Sequence, residues 1–352
     1  MGVRSSRLTN QIVPIGIDSA LARPSDLSSD AAVARHLSAL LERTKEKGSA
    51  AAALVPWFCD RLPSAGSREA YLRDLAAFVA HMREQGLEPL AITGDHLRMY
   101  KAAMQAAGQS SATIARRLSV LRGTYEQFAK RGLLSWEAVK DIQSVESPRV
   151  EKNTTPALSE AEARRLLHAP DKTTLLGLRD HALLFTYFKT ACRCSAIVRA
   201  KVGDIERTDT DHYLVVIEKG GRRQRKALLE AAAPVLTWLT AAGIQDDLDG
   251  PLFRPLAKNR ESVLRDSLDR RTVWVLVRKY ARQIGIDINA FGGRALCVHS
   301  LRKTAITNAL EHGAKMEQAQ ALAGHADIRT TQLYFQARGT EAEEAARHIQ
   351  IR

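Results

Sequence analysis

Apolar residues recur at helical spacing along most of this chain. From about Ser67 to Gln85, Leu72, Leu75, Phe78, Val79 and Met82 fall on one face, and Gly86 follows as a helix-ending residue. From about Ser111 to Arg131, the apolar positions Ile114, Leu118, Leu121, Tyr125 and Phe128 are spaced by four, three, four and three, the stripe of a helix that buries one side. Residues 31–143 therefore read as a cluster of helices. Residues 1–30 read as a tail, because Gly, Pro, Ser and Asp break any period there. Residues 144–156 (SVESPRVEKNTTP) hold two prolines, mixed charge and no period, the pattern of a linker.

A second unit, residues 157–352, opens with Ser159 and Glu162, whose spacing predicts a capping box at the start of a helix over residues 160–168. Helical patterning continues to about Arg199. In YLVVIEKGGRRQRKALL two strand-like runs flank Lys219-Gly220-Gly221-Arg222, a hairpin signal. From Pro234 onward the pattern is again mostly helical, including RTVWVLVRKYARQI (Arg271 to Ile284) and a short helix over Glu341 to Ile349. The predicted fold class is mainly α, with a helical N-terminal unit and a mixed, mostly helical second unit carrying a small β-sheet or hairpin.

Charge changes the picture. The 352 residues carry 52 Lys and Arg against 39 Asp and Glu, a net +13 and a pI near 9.8, which points to a polyanionic partner, nucleic acid first. Arg116, Arg117, Arg122 and Lys130 lie off the apolar stripe of their helix, as a solvated basic face or as DNA contacts. Four cysteines do not make a disulfide framework and fit a reducing cytosol. No apolar run approaches the roughly 20 residues of a membrane helix, and the start, MGVRSSRLTNQIVPIG, does not read as a secretory leader. Nucleotide-binding glycine loops, HExxH, an EF-hand loop and GxSxG are absent, and Cys192 and Cys194 have no second pair at zinc spacing.

The remaining chemistry is cationic and imidazole. Arg193 sits in TACRCSAIVRAKVGDI, Lys219 at the hairpin tip, His299 and Arg302 in HSLRKTAITNALEHGA, and Gly324-His325 in ALAGHADIRTTQLYF, with Tyr334 nine residues after His325. Taken singly, each is an ordinary surface or core residue. In this order and spacing they resemble the tyrosine recombinases, the phage-integrase or Xer-type family. The resemblance is detailed from about Glu160 to Tyr334 and looser over the N-terminal unit, which looks like the family's SAM-like core-binding domain.

The resemblance implies a site-specific DNA recombinase that cleaves and rejoins strands through a 3′-phosphotyrosyl intermediate, to integrate, excise or resolve a mobile element or chromosome dimer. Tyr334 is then the nucleophile, Arg193 and Arg302 the phosphate clamp, Lys219 the general acid and His299 an aid to proton transfer at the tyrosine. His325 is a hydrogen-bond partner of the phosphate. No metal and no cofactor are implied. Expected partners are double-stranded DNA, three further copies in a homo-tetramer on two duplexes, and an accessory DNA-bending protein; the expected location is the cytoplasm, on the nucleoid. Arg222, Arg223 and Arg225 on the hairpin, and Arg278, Lys279 and Arg282 on the later helix, join Arg116, Arg117, Arg122 and Lys130 as candidate DNA contacts. Three departures stand out: Ala196 where members often carry an acidic residue that braces the first arginine, Ala191 where glycine is common, and Lys303 where histidine is common. The alternatives are a type IB-like topoisomerase and a DNA-binding module whose catalysis has decayed.

Overall fold

Among the residues that the computed structural model describes (27, 29–42, 47–62, 64–150, 155–218, 221–289 and 295–335), two compact units are formed, Met1–Lys152 and Asn153–Arg352. The first contains α1 (Asp30–Leu40), α2 (Lys47–Arg61), α3 (Ala65–Glu84), α4 (Gly94–Ala106), α5 (Ser111–Lys130) and α6 (Trp136–Ser144). Ser64, Thr93, Ser110 and Ser135 cap α3 to α6, each side-chain oxygen accepting an otherwise unpaired N–H of the first turn. The predicted apolar faces of α3 and α5 are buried against one another. Phe78 meets Tyr100 and Tyr125 edge-on, at 5.1 and 6.2 Å between centroids.

Two parts of the expected tail and linker belong to this unit. Leu27 is buried in its core, and Ser29 caps α1. Val145 is buried beside α5, where Arg122 donates to its carbonyl, and Lys101 holds the carbonyl of Glu146. An apolar residue just past α6 finds a hydrophobic surface within reach, and that outweighs the proline and charge signals around it.

The second unit contains α7 (Glu160–Leu167), α8 (Leu175–Thr190), α9 (Cys194–Ile197), then β1 (Ile205–Arg207), β2 (His212–Ile217) and β3 (Arg223–Ala227). It continues with α10 (Ala232–Ala242), α11 (Arg270–Gln283), α12 (Val298–Glu311), α13 (Met316–Ala323) and α14 (Ile328–Phe335). The Ser159–Glu162 capping box opens α7 as predicted. The three strands form an antiparallel sheet in the order β1-β2-β3. β1 is three residues long and is defined by pairing Ile205 with Leu214, so no local pattern announces it. Residues 243–269 carry no helix; Arg254 and Arg265 converge on Asp247, at 2.6 and 2.9 Å, and hold this stretch together.

In the sheet, Leu214 pairs with Lys226 and Val216 with Gln224, so these four side chains share one face. Leu214, Val216 and Lys226 are buried. That inner face thus changes along the hairpin from apolar to polar, which is where the functional residues gather. Asp180 on α8 accepts from Arg179 and from the Tyr280 hydroxyl of α11, a buried polar tie that fixes the two helices.

α8 begins tightly against its own N-terminal turn. A Cβ on Gly177 would overlap the Asp171 carbonyl, a backbone group that cannot swing away. Gly177→Ala is expected to destabilise the second unit by about 2 kcal/mol or more, in the range of core overpacking, read as a lower urea midpoint with an unchanged slope.

Candidate active site

Four segments meet beyond the polar end of the sheet. They are the turn after α8, the base of the β2–β3 hairpin, the first turns of α12, and the turn after α13. The α8 turn is made by Ala191 in the left-handed region (φ 46°), which redirects the chain so that Arg193 sits at the N-cap of α9. An alanine there is strained by about 1 kcal/mol or more, and its carbonyl is held by Arg302.

On α12, His299 and Arg302 are three apart and so share a face. Arg302 is 1% exposed. Its Nη1 donates to the Ala191 carbonyl, and its Nη2 donates to the Ala323 carbonyl and to His325 Nε2, 3.1 Å away. Its Nη1 also lies 3.9 Å from Glu218 Oε1. Glu218 has a fully buried carboxylate. Its Oε2 accepts from Arg193 Nη1 at 2.6 Å, and its Oε1 accepts from the Arg193 backbone N–H at 3.2 Å. Burial alone would raise the Glu218 pKa; the hydrogen bonds and charge of Arg193, with Arg302 behind it, outweigh burial and hold it below the usual carboxylate range. Arg193 keeps about a third of its side chain in solvent.

His325 follows Gly324, which closes α13 in the left-handed region (φ 61°) while the His325 N–H reaches back to the Gln320 carbonyl. The Gly-His pair is thus a helix terminator that delivers an imidazole. A guanidinium has no acceptor, so the contact with Arg302 makes Nε2 the accepting nitrogen. The ring proton is then on Nδ1, which donates to Thr331 Oγ1 at 2.9 Å. Burial, then the charges of Arg302 and Arg193, push the His325 pKa down to about 4. His299 is exposed as a residue, yet lost hydration, followed by Arg302, Arg193 and Lys303, lowers its pKa as well. Lys303 is buried, and that burial lowers the pKa of its ammonium.

The phage integrase family profile matches residues 156–341, and the profile of the phage integrase N-terminal SAM-like domain matches residues 58–132. The chain belongs to the tyrosine recombinase family. Tyrosine recombinase XerD of Pseudomonas aeruginosa is 30% identical over 285 residues, covering 80% of this chain and 90% of that protein. The fold is shared with XerH site-specific recombinase bound to a palindromic difH substrate in a post-cleavage complex (TM-score 0.63, 15% identity, 89% of this chain and 94% of that one). It is also shared with the lambda integrase tetramer bound to a Holliday junction (TM-score 0.58, 16% identity, 80% and 75%).

Of the six catalytic candidates of this recombinase, the fold brings Arg193, Arg302 and His325 into one cluster around Glu218, with His299 one turn from Arg302. Tyr334 lies in α14, nine residues after His325. Lys219 and the segment 341–349 lie outside the described residues. Among the described residues no group of three His, Cys, Asp or Glu side chains is placed to hold a metal ion.

The candidate DNA contacts divide. Arg116 and Arg117 both reach the buried Asp74, Arg117 also bonding the Tyr100 hydroxyl, so neither is simply solvated. Arg122 is half-buried over Val145 and Ser147. Lys130 is exposed and pairs with Glu126. Arg223 and Arg225 are exposed and share Glu206, Arg225 also stacking over Tyr213, and Arg222 is exposed. Arg222 and Arg225 line, with Gln224, Lys226 and His325, a cavity of about 440 Å³. On α11, Arg278 lies over Trp274, and Lys279 and Arg282 are exposed.

Sequence reasoning missed Glu218, Lys226 and Thr331. Lys226 is buried and donates to the Ala321 and Leu322 carbonyls, at 3.1 and 2.6 Å, so a cation meets the negative end of α13. A signal existed for two of them. Leu214, Val216 and Glu218 alternate on one strand, and Gln224 and Lys226 on the other, so the inward set turns polar toward the tip.

The His325 shift has a pH consequence. Its folded pKa, about 4, lies below the ordinary 6.5. Between those values the unfolded chain binds a proton that the folded chain refuses, so stability falls as pH drops from about 7 to 4, by up to about 3 kcal/mol. Urea unfolding across this range is expected to show that slope, and His325→Gln to make it shallower, with His299 and His181, whose pKa values are also lowered, leaving the remainder.

Proposed function

We propose that this tyrosine recombinase exchanges DNA strands with Tyr334 as nucleophile, Arg193 and Arg302 as phosphate clamp, Lys219 as general acid, and His299 and His325 as proton and hydrogen-bond partners. The enzyme cleaves and rejoins DNA at specific sites. In this reading the Tyr334 oxygen attacks phosphorus and the bond to the 5′ oxygen breaks. The tyrosine proton leaves toward His299, and the 5′ oxygen takes a proton from Lys219. One phosphodiester replaces another of similar energy, and attack by a 5′ hydroxyl of the partner strand reverses the step.

The observation that carries the reading is the single cluster of Arg193, Glu218, Arg302 and His325, drawn from four separate segments and joined by hydrogen bonds and the Arg302–Glu218 charge contact. Guanidiniums are permanently charged, planar donors suited to charge that grows on phosphate oxygens. Arg193, partly in solvent, meets the phosphate first, and Arg302 supplies charge from behind it. His325 accepts from Arg302 before DNA arrives and turns its ring to the phosphate afterwards.

Residues 31–143 act as the core-binding domain and 157–352 as the catalytic domain, joined by a linker within 144–156. Arg222, Arg223, Arg225, Arg278, Lys279, Arg282 and Lys130 track the phosphate backbone, with Arg116, Arg117 and Arg122 contributing beside their internal bonds. The working assembly is a tetramer on two duplexes, in which residues 341–349 pass between neighbours, aided by an accessory DNA-bending protein. Its working place is the cytoplasm, on the nucleoid. The topoisomerase alternative is not favoured, because the relatives over most of the chain are tyrosine recombinases.

Suicide duplexes taken from DNA flanking the gene give the test. Tyr334→Phe is expected to abolish the protease-sensitive covalent adduct on a denaturing gel while leaving DNA binding intact; cleavage by this variant would overturn the nucleophile assignment. Arg193→Ala is expected to slow adduct formation by about a hundredfold or more.

A further inference from the structure

Glu218 is the residue that the catalytic reading leaves without a task, and it is the only carboxylate among the described residues bonded to Arg193. It stands where a side chain on the inner face of β2 continues past the strand end. Its own N–H donates to the Arg222 carbonyl at 2.9 Å, and its carbonyl accepts from the Gly221 N–H at 3.1 Å. Those two bonds close the base of the turn that carries Lys219. One residue therefore holds Arg193 by its side chain and the lysine-bearing turn by its backbone. Position 196, three after Arg193, is a buried alanine and offers no carboxylate of its own.

Glu218 is the carboxylate that faces both Arg193 and Arg302, and the buried Lys226 ammonium adds to the positive charge around it. Without Glu218, Arg193 and Arg302 would lose the carboxylate that faces them both, in a site where burial amplifies repulsion. The carboxylate engages one terminal nitrogen of Arg193 and its backbone N–H, so among the described residues the other guanidinium donors are left for a phosphate.

We propose that Glu218 is a positioning residue of strand cleavage, supplying from the hairpin the brace that position 196 lacks and locking the Lys219 turn to the Arg193–Arg302 pair. The lysine and the arginines then reach the scissile phosphate as one unit. The proposal rests on the assignment of Lys219 and Arg193 made above, and the experiment separates the two.

Full-length wild type, Glu218→Gln, Glu218→Asp and Lys219→Ala are compared in single-turnover cleavage of an ordinary suicide duplex. The same set is compared on one whose scissile 5′ oxygen is replaced by sulfur. A thiolate leaves without a proton, so the sulfur substrate removes the need for the general acid. Glu218→Gln, which keeps shape and loses charge, is expected to cleave the oxygen substrate about ten- to a hundredfold more slowly, the scale of a lost charged hydrogen bond. Its DNA affinity should stay near wild type, while its melting temperature is expected to fall because a buried counter-charge is lost, so rates are compared at a temperature where every variant is folded. The sulfur substrate is expected to recover part of that loss, and Glu218→Asp, which keeps the charge on a shorter stem, to fall between. Glu218→Gln cleaving the oxygen substrate at the wild-type rate would overturn the proposal. So would an equal defect on both substrates, because the lysine would then be placed without help from Glu218. If Glu218→Gln does not fold, an aspartate variant as fast as wild type does the same. Lys219→Ala that is not restored by sulfur would instead remove the assignment of the lysine.

Discussion

A buried guanidinium is costly unless its charge and terminal donors find partners, and Arg302 obtains its partners from parts of the chain far apart in sequence. It takes the carbonyl that ends α8, the carbonyl that ends α13, the imidazole after Gly324, and the field of the Glu218 carboxylate. Breaking a buried charge pair from one side is costly because the orphaned partner cannot reach water. The four segments are therefore held by a requirement for satisfaction and not by apolar contact alone. The left-handed Ala191, the glycine terminator of α13 and Glu218 at the hairpin base each bring an acceptor toward this one side chain.

The same physics organises the first unit on a smaller scale. Asp74 is buried on α3 and is met by Arg116 and Arg117 from one turn of α5. Two cations that look like surface charge in a helical projection are drawn over the interface by an acid on the facing helix. The basic face of α5 is therefore partly an internal device: Arg116 stays exposed while reaching Asp74, and Lys130 is exposed beside Glu126.

Features fixed by near neighbours were legible in the sequence. The stripes of α3 and α5, the Ser159–Glu162 box, the His299–Arg302 spacing and the Gly324-His325 terminator all depend on residues within about one helical turn. The fold class and the family motif followed from these. What was not legible depends on which segment lies opposite. β1 exists because Ile205 meets Leu214. Arg117 and Arg122 are half-buried because Asp74 and the Val145 carbonyl stand across from them. Glu218 looked like the ordinary polar flank of a turn, and only the placement of Arg193 against the inner face of the sheet makes it part of the site.

Side chains along a strand point to alternate faces, and Glu218, Gln224 and Lys226 share the inner one. Loss or gain of a single residue within either arm would turn that arm's polar residues outward, detaching Arg193 from its acid or α13 from its cation. Two residues would restore the facing. Evolutionary drift or engineering of this hairpin is thus governed by parity: the bend can vary in composition, while its arms change length only in steps of two.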